Sequence, residues 1–230
     1  MKLYKYDTHV HTSEGSACSG TKGEYHAVKY KELGYDGIII TDHFFRGYCA
    51  VPNTIPWKER VELFCKGYEN AKSKGEEIGL DVFFGFETSF DGVDILTYGL
   101  EKSFIINHPE FMDVMDTGDV KAYINYVHSN RGICVHAHPF REAWYVPNIR
   151  LFPRDIDAVE IVNGSHTDKK FNERAKYFAD SYELPYTAGS DTHNHGEKET
   201  TTGVLLDHRL TSIKDYIDCV INKKICDICE

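Results

Sequence analysis

The stretch Asp7-Thr8-His9-Val10-His11 follows Leu3-Tyr4-Lys5-Tyr6, a run that alternates like a β-strand. Residues two apart on a strand share a face, so His9 and His11 project the same way, with Asp7 behind them on that side. Neutral imidazole is a common metal ligand that needs a fixed direction, and two at one strand end can reach a single cation. A His-x-His pair by itself also fits ordinary surface or core histidines. What separates these readings is whether further ligand residues recur at matching places along the chain.

The bulk properties leave room for such a site. The chain has 230 residues, 41% of them hydrophobic and 27% charged, which suits one α/β domain over residues 1–230 with a sizeable core. Histidine is the anomaly, with 12 residues, many in short clusters. A formal net charge of −10 argues against a groove for long nucleic acid, yet bound divalent cations could still hold a small phosphate substrate. No run of 18 or more apolar residues appears, so no membrane partner is expected, and Met1 to Lys5 lacks a secretory h-region. The 7 irregularly spaced cysteines fit free thiols, so a cytoplasmic location is expected. Cys226-Asp227-Ile228-Cys229 has zinc-knuckle spacing without a second pair nearby and reads as a frayed end.

Strand-like runs alternate with helix-like segments. Helices are expected over Tyr25 to Leu33, Trp57 to Lys74 (ended by Gly75), Val120 to Asn130, Asp168 to Tyr182 and Ser212 to Asn222. Strands are expected at Gly37 to Thr41, Val82 to Phe86, Asp94 to Leu100, Ile133 to Ala137, Ala158 to Val162, Pro185 to Gly189 and Gly203 to Leu206. Alternation of this kind implies a mostly parallel sheet, because parallel neighbours need crossovers. Residues 101 to 118 and 139 to 157 read as the longest irregular stretches.

Polar clusters fall at the C-terminal ends of these strands: His9 and His11, then Asp42-His43, Glu87, His136-Ala137-His138-Pro139 and Asp191-Thr192-His193. That edge is where parallel α/β sheets and barrels gather ligands and catalytic groups. A mixed imidazole and carboxylate set favours Zn, Mn or Fe over an all-oxygen Ca site. Through Asp7-Thr8-His9-Val10-His11-Thr12, Ile40-Thr41-Asp42-His43, Gly85-Phe86-Glu87, His138-Pro139 and Gly189-Ser190-Asp191-Thr192-His193, the sequence resembles the PHP (polymerase and histidinol phosphatase) superfamily of metal-dependent phosphoesterases. The motifs stand in family order over nearly the whole chain.

The resemblance implies a distorted seven-stranded (β/α)7 TIM-like barrel with two or three divalent metal ions at its C-terminal face. By position, His9 and His11 would bind one metal with Glu87 and Asp191. Glu87 would bridge to a second metal completed by His138, and His43 and His193 would serve a third. Two places depart from the family pattern. Asp94 stands where many members have a histidine, and can still ligate a borderline cation. Many members carry an Asp or His shortly after the first motif as a third-metal ligand, and here the candidates are Glu14 and, second, Cys18.

Other residues are read around this set. Asp42 and Asp7 would orient the ligands. His136 shares a face with His138 by spacing and reads as a supporting or substrate residue, or a core histidine. Arg141 would sit beside the metals and clamp a phosphate. Asn163, His166 and His195 could reach the cleft, and His26, His108, His128 and His208 read as surface residues. Phe44, Phe45, Tyr48, Trp57, Trp144 and Tyr145 flank the clusters and could stack on a ring or simply pack.

The expected reaction is hydrolysis of a phosphomonoester of a small metabolite or nucleotide by a metal-bridging hydroxide, since the cations lower the pKa of bound water. Arg141 and the metals would hold the phosphoryl oxygens, while Asp191 or a cleft histidine such as His193 protonates the leaving oxygen. No Cys-x5-Arg or Gly-x4-Gly-Lys-Ser/Thr loop competes with this reading. The alternatives are hydrolysis of an amide-type substrate by the same chemistry, or a metal-binding module without turnover. Oligomeric state is not encoded in any visible pattern.

Overall fold

A computed structural model describes residues 2–195 and 202–229. Along the chain run β1 (Tyr4–Val10), α1 (Gly23–Glu32), β2 (Gly37–Ile40), α2 (Trp57–Phe64), α3 (Lys66–Ile78), β3 (Asp81–Ser89) and β4 (Asp94–Tyr98). Then follow α4 (Lys102–Asn107), α5 (Phe111–Asp116), α6 (Val120–Ser129), β5 (Ile133–Ala137), β6 (Ala158–Asn163), α7 (Lys170–Ser181) and β7 (Tyr186–Gly189). The last elements are β8 (Gly203–Leu206), α8 (Ile213–Ile221) and β9 (Asp227–Cys229). The strands form one nine-stranded sheet in the order β7-β6-β5-β4-β3-β2-β1-β8-β9.

That sheet curls into a nearly closed barrel. Strand β1 meets β8 antiparallel through Tyr4, Lys5 and Tyr6, and then changes partner. Beyond Tyr6 the Thr8 hydroxyl donates to the Ala188 carbonyl (3.0 Å), Asp191 N donates to His9 O (2.9 Å) and His11 N to Thr192 O (3.0 Å). The chain leaving β7 therefore lies against the end of β1. Strand β2, Gly37-Ile38-Ile39-Ile40, is buried along its whole length, as expected of an aliphatic strand covered on both faces. Lower in the barrel the Tyr98 hydroxyl donates to Thr8 O, and the Thr187 and Tyr216 hydroxyls pair at 2.8 Å. These bonds satisfy polar groups that burial would otherwise penalise.

The distorted seven-stranded (β/α)7 barrel expected from the resemblance is not what the sheet shows: it has nine strands, and the strand–helix alternation is interrupted. Strands β3 and β4 are joined directly by a hairpin, in which Phe90 and Val93 exchange backbone hydrogen bonds at 2.7 and 3.2 Å. Asp91 and Gly92 both take positive φ (48° and 88°), as a type I′ turn requires, and Asp-Gly is a favoured pair for it. Strand β4 consequently runs antiparallel to both neighbours, with Asp94 opposite Ser89 and Ala137. The start of β4, not its end, thus lies on the edge where the parallel strands finish.

Other segments also differ from expectation. The single helix expected over Trp57 to Lys74 is two, divided at Cys65, and the second runs past Gly75 to Gly79, whose φ of 73° ends it. Gly75 is a contact residue: a Cβ there would stand 2.6 Å from the Leu80 carbonyl. Residues 101 to 118, expected to be irregular, contain α4 and α5, anchored by buried Ile105, Phe111 and Met115. The end expected to fray contains β9, which pairs with β8. No helix among the described residues is long and apolar enough to cross a membrane.

The seam between β1 and β7 is close-packed. A Cβ on Gly189 would stand 2.4 Å from His9 Cβ and 2.8 Å from His9 N. Gly189→Ala is expected to lower stability by about 2 kcal/mol, because neither neighbour can move without opening the barrel. Thermal unfolding of the variant checks this, and an unchanged midpoint would count against the seam.

Candidate metal centre

His9 and His11, at the end of β1, are fully buried and their Nε2 atoms face each other at 3.0 Å. The opposite nitrogen of each ring is engaged. His9 Nδ1 lies 2.8 Å from Glu160 Oε1, and because a carboxylate can only accept, Nδ1 carries the hydrogen. His11 Nδ1 lies 3.1 Å from Ser16 Oγ, which itself donates to Asp42 Oδ1 at 2.7 Å. Ser16 must then accept from His11. Both rings thus turn Nε2 inward.

Around those nitrogens stand carboxylate acceptors. Glu87, on β3, lies 3.6 Å from His9 Nε2, 3.4 Å from His11 Nε2, 3.0 Å from His43 Nδ1 and 3.2 Å from His138 Nε2. Asp191 Oδ1 lies 3.5 Å from His9 Nε2 and 3.3 Å from His11 Nε2. Ligand atoms of His9, Glu87 and His138 cluster within 4.8 Å of one another, as do those of His9, His11 and Asp191, and those of His11, His43 and His193. A buried centre lined by acceptors demands positive charge, so the donor set fits divalent cations.

The proton affinities express the same demand. Burial opposes charge on His9, but Glu160, Asp191 and Glu87 outweigh it and hold its pKa well above the ordinary histidine value. Burial also opposes charge on His43, and Glu87 again wins and raises it. Burial lowers His11 well below its ordinary value, helped by His43. Burial would raise Glu87 and Asp191, yet the imidazoles beside Glu87, and Arg141 with His9 beside Asp191, hold both well below the carboxylate range.

Two backbone features aim the candidate ligands. His138 has φ of 29° and Asp191 of 55°, both in the left-handed region that side chains seldom adopt. The turn at His138 separates it from His136, although the strand period places them on one face. His136 is instead buried against Phe152 with ring centroids 6.3 Å apart, away from the centre. Behind Asp191, Asp7 accepts from the backbone N–H groups of His9 (3.0 Å) and Ser190 (2.9 Å) and from the Tyr30 hydroxyl (2.6 Å). Asp7 therefore ties together the two chains that carry the ligands.

The remaining expected residues are distributed unevenly. Glu14 is not brought to the centre: its carboxylate accepts from Gly23 N (3.2 Å) and Asn70 Nδ2 (3.0 Å), at the positive N-terminal end of α1. Asp94 reaches the edge of the site, 3.9 Å from His138 Nδ1, the ring nitrogen opposite the one that faces Glu87. Arg141 pairs with Asp191 Oδ2 at 2.5 Å, and its Nη2 also donates to Asn163 (3.0 Å) and Ser165 (2.7 Å), while its Nε donates to His166 (3.3 Å). Its guanidinium is held rigidly. His193 Nδ1 lies 3.6 Å from Asp191 Oδ1 and 2.9 Å from Asp191 O. Cys18 lies beside His43 and His193, and their hydrogen bonds outweigh burial, bringing its thiol down to about 7. His26, expected at the surface, is buried in α1 and its Nδ1 lies 2.9 Å from His195 Nε2.

Glu160 is the residue that sequence reasoning passed over as part of a strand. Besides His9 it accepts from His138 N (2.9 Å) and Asn163 Nδ2 (2.9 Å), which fixes three parts of the site at once. The available signal was a lone charge inside the apolar run Ala158-Val159-Glu160-Ile161-Val162. The centre opens into a cavity of about 300 Å³ lined by Cys18, His43, Tyr48, Glu87, Arg141 and His193, among others. A larger cavity of about 790 Å³ lies at the opposite end, beside Asp81 and Arg209, and contains none of the expected ligands.

Comparison with known proteins fits this geometry. The family model PHP_C, described as PHP-associated, matches residues 169–197, which include α7, β7 and the Gly189–His193 motif. No curated protein matches. Among solved structures, the chain is similar to a two-domain protein from Bacteroides vulgatus containing a predicted PHP-like metal-dependent phosphoesterase (TM-score 0.69, 15% identity), with 97% of this chain and 64% of that one covered. It therefore spans less than two thirds of that relative. It is also similar to a Bifidobacterium adolescentis protein assigned as a metal-dependent phosphoesterase (TM-score 0.57, 16% identity, 96% of each chain). A third is an amidohydrolase from Chromobacterium violaceum solved with sulfate and no metal (TM-score 0.57, 14% identity, 93% of this chain and 96% of that one). At these identities the likeness is one of fold.

Two outcomes are expected of the centre. Glu160→Gln should weaken metal affinity by about 10- to 100-fold in chelator competition, because the amide no longer fixes the His9 tautomer. An affinity equal to that of the unmodified protein would remove Glu160 from the site. Because His9 and His43 hold protons more tightly than ordinary histidines, a cation must displace them, and apparent affinity should rise as pH climbs through and above the ordinary histidine range. Calorimetry in two buffers of different ionisation enthalpy should show net proton release, and binding without release would contradict it.

Proposed function

From the PHP superfamily, which the PHP-associated match and the shared fold support for this chain, we propose that the protein is a metal-dependent phosphoesterase acting on a phosphomonoester of a small metabolite or nucleotide. The observation that carries this is the pairing of a buried acceptor cluster with a fixed guanidinium on one cavity wall. His9, His11, Glu87 and Asp191 would hold one cation and Glu87 with His138 a second. His43 and His193 would serve a third. Bound divalent cations would supply acidified water and neutralise developing charge on the phosphoryl oxygens. The donor chemistry suits Zn, Mn or Fe.

The side chains supply the rest. Arg141, with Nε and Nη2 committed to neighbours, would offer its charge and its Nη1 to a phosphoryl oxygen. Where no third cation is bound, His193, half-buried at the cavity and bonded through Nδ1, would deliver a proton to the leaving oxygen. A cavity of about 300 Å³ suits a small organic phosphate, and Tyr48 and Tyr145 on its wall offer ring faces.

A second reading, hydrolysis of an amide-type bond, draws on the fold shared with the Chromobacterium violaceum amidohydrolase. Arg141 separates the two, since carbonyl hydrolysis has no need of a phosphate clamp. Protein loaded with Mn or Zn should hydrolyse an aryl phosphate, and a chelator should abolish this. Arg141→Ala should lose about 10² in kcat/KM and bind inorganic phosphate more weakly at unchanged metal content. Turnover of amides but of no phosphomonoester in a substrate panel would favour the second reading.

A further inference from the structure

At the end of the barrel away from the acceptor cluster, a second group of ligand atoms converges. Strand β8 runs antiparallel to β1, with Leu206 opposite Tyr4, so the chain leaving β8 emerges beside the start of β1. His9 and His11 stand at the other end of that strand. Asp207 and His208 begin the loop, and α8 follows with Asp215 in its first turn and Cys219 one turn later. Residues four apart on a helix share a face, and His208 lies over it. Ligand atoms of His208, Asp215 and Cys219 all stand within 4.8 Å of one another.

The ring and the carboxylate are both held from behind. His208 Nδ1 lies 2.7 Å from Asp207 Oδ1, and because a carboxylate can only accept, Nδ1 carries the hydrogen. The opposite nitrogen, Nε2, therefore faces Asp215 Oδ1 at 3.2 Å and Cys219 Sγ at 3.8 Å. Asp215 Oδ2 accepts from Thr211 N (3.0 Å) and Thr211 Oγ1 (3.1 Å), while Asp215 N donates to Ser212 Oγ (3.2 Å). This helix cap fixes the carboxylate and leaves Oδ1 towards His208. Cys219 is fully buried. A proton on Nε2 would serve one acceptor, whereas a cation would serve ring, carboxylate and sulfur together. Donors bound to zinc at tetrahedral angles stand roughly 3.3 to 3.6 Å apart, close to the two separations seen.

We propose that His208, Asp215 and Cys219 form a separate zinc site that staples the β8–α8 loop to α8, with Asp207 fixing the His208 tautomer. One carboxylate and one thiolate would neutralise a dication, and the thiol proton would pass to solvent on binding. Thiolate with imidazole selects Zn or Co over Mg, Ca and Mn. His208 and Asp215 are partly exposed, so water would complete the coordination and the ion would exchange. Zinc level would then set the stability of this corner, where the Tyr216 hydroxyl on α8 pairs with Thr187 of β7. The site takes no part in catalysis and does not depend on the reaction proposed above.

The test uses the full chain, stripped of metal by chelator and titrated with Co(II). A near-ultraviolet thiolate-to-cobalt charge-transfer band is expected, lost together with about one equivalent of cobalt in Cys219→Ala and in His208→Ala. Because His208 is partly exposed, its variant should fold even where the buried Cys219→Ala does not. Asp207→Asn should weaken the binding that gives the band by about 10- to 100-fold. Cys18→Ala should keep the band, which separates this site from the acceptor cluster. Zinc, and not magnesium, should raise the unfolding midpoint more in the unmodified protein than in His208→Ala. Bound cobalt with no band, a band that survives His208→Ala, or one lost only in Cys18→Ala would reduce the cluster to an ion pair at a helix cap and overturn the site. Each of these leaves the metal-dependent reading standing. Equal zinc shifts in the two proteins would overturn the staple.

Discussion

Glu87 and Asp191 are almost wholly buried, and each lies within 3.7 Å of more than one imidazole nitrogen. Moving a single carboxylate from water into a protein interior costs several kcal/mol even after relaxation, so two of them side by side need positive charge close at hand. Protons on His9 and His43 and the guanidinium of Arg141 can supply it, and divalent cations can supply more. Most other features of the upper barrel serve this balance. Ser16 and Glu160 engage the outer nitrogens of His11 and His9 and keep the inner ones free. Asp42 stabilises Ser16 in its accepting role, and also accepts from Thr12 through backbone and hydroxyl at 2.6 Å each.

The backbone is strained at two of the clustered side chains. A non-glycine residue in the left-handed region costs of order 1–3 kcal/mol, and His138 and Asp191 both adopt it. Nearby hydrogen bonds oppose relaxation at each. Glu160 accepts from His138 N, Asp191 N donates to His9 O, and Asp7 holds Ser190 just before it. The strain re-aims two side chains that a regular strand would have sent elsewhere. The bonds that resist it also join β7 to β1, so barrel closure and ligand placement share the same atoms.

The parts of this molecule that sequence reveals are those in which a residue's chemistry and its strand position agree. His9, His11, His43, Glu87, Asp191 and His193 all follow apolar runs, and parallel strands deliver their ends to one edge. The parts that stay hidden depend on a local departure from regular geometry. Asp94 begins its strand, which should have placed it at the far edge, but the Asp91-Gly92 turn reverses β4 and returns it to the site. His136 and His138 share a face by counting and not in fact, because counting cannot register a φ of 29°. Glu14 is a carboxylate at a plausible spacing, yet the N–H groups opening α1 compete for it and hold it. Glu160 is concealed by its setting, since a charge within an apolar strand signals a buried partner without saying which.

Chains of 14–16% identity can keep one fold when the residues that cannot change are few and local. Core positions accept many apolar substitutions of similar volume. A cation site instead fixes the element type of each donor, its direction and its distance, and so leaves short motifs recognisable in otherwise diverged sequence. Where a motif varies, the alternatives are limited by what can still reach the metal. The stretch after the first histidine pair shows the consequence: its carboxylate is drawn away by a helix terminus, and its thiol is the group left facing the cavity. Sequence spacing offers both residues, and the hydrogen bonds made to Gly23 and Asn70 take Glu14 out of reach.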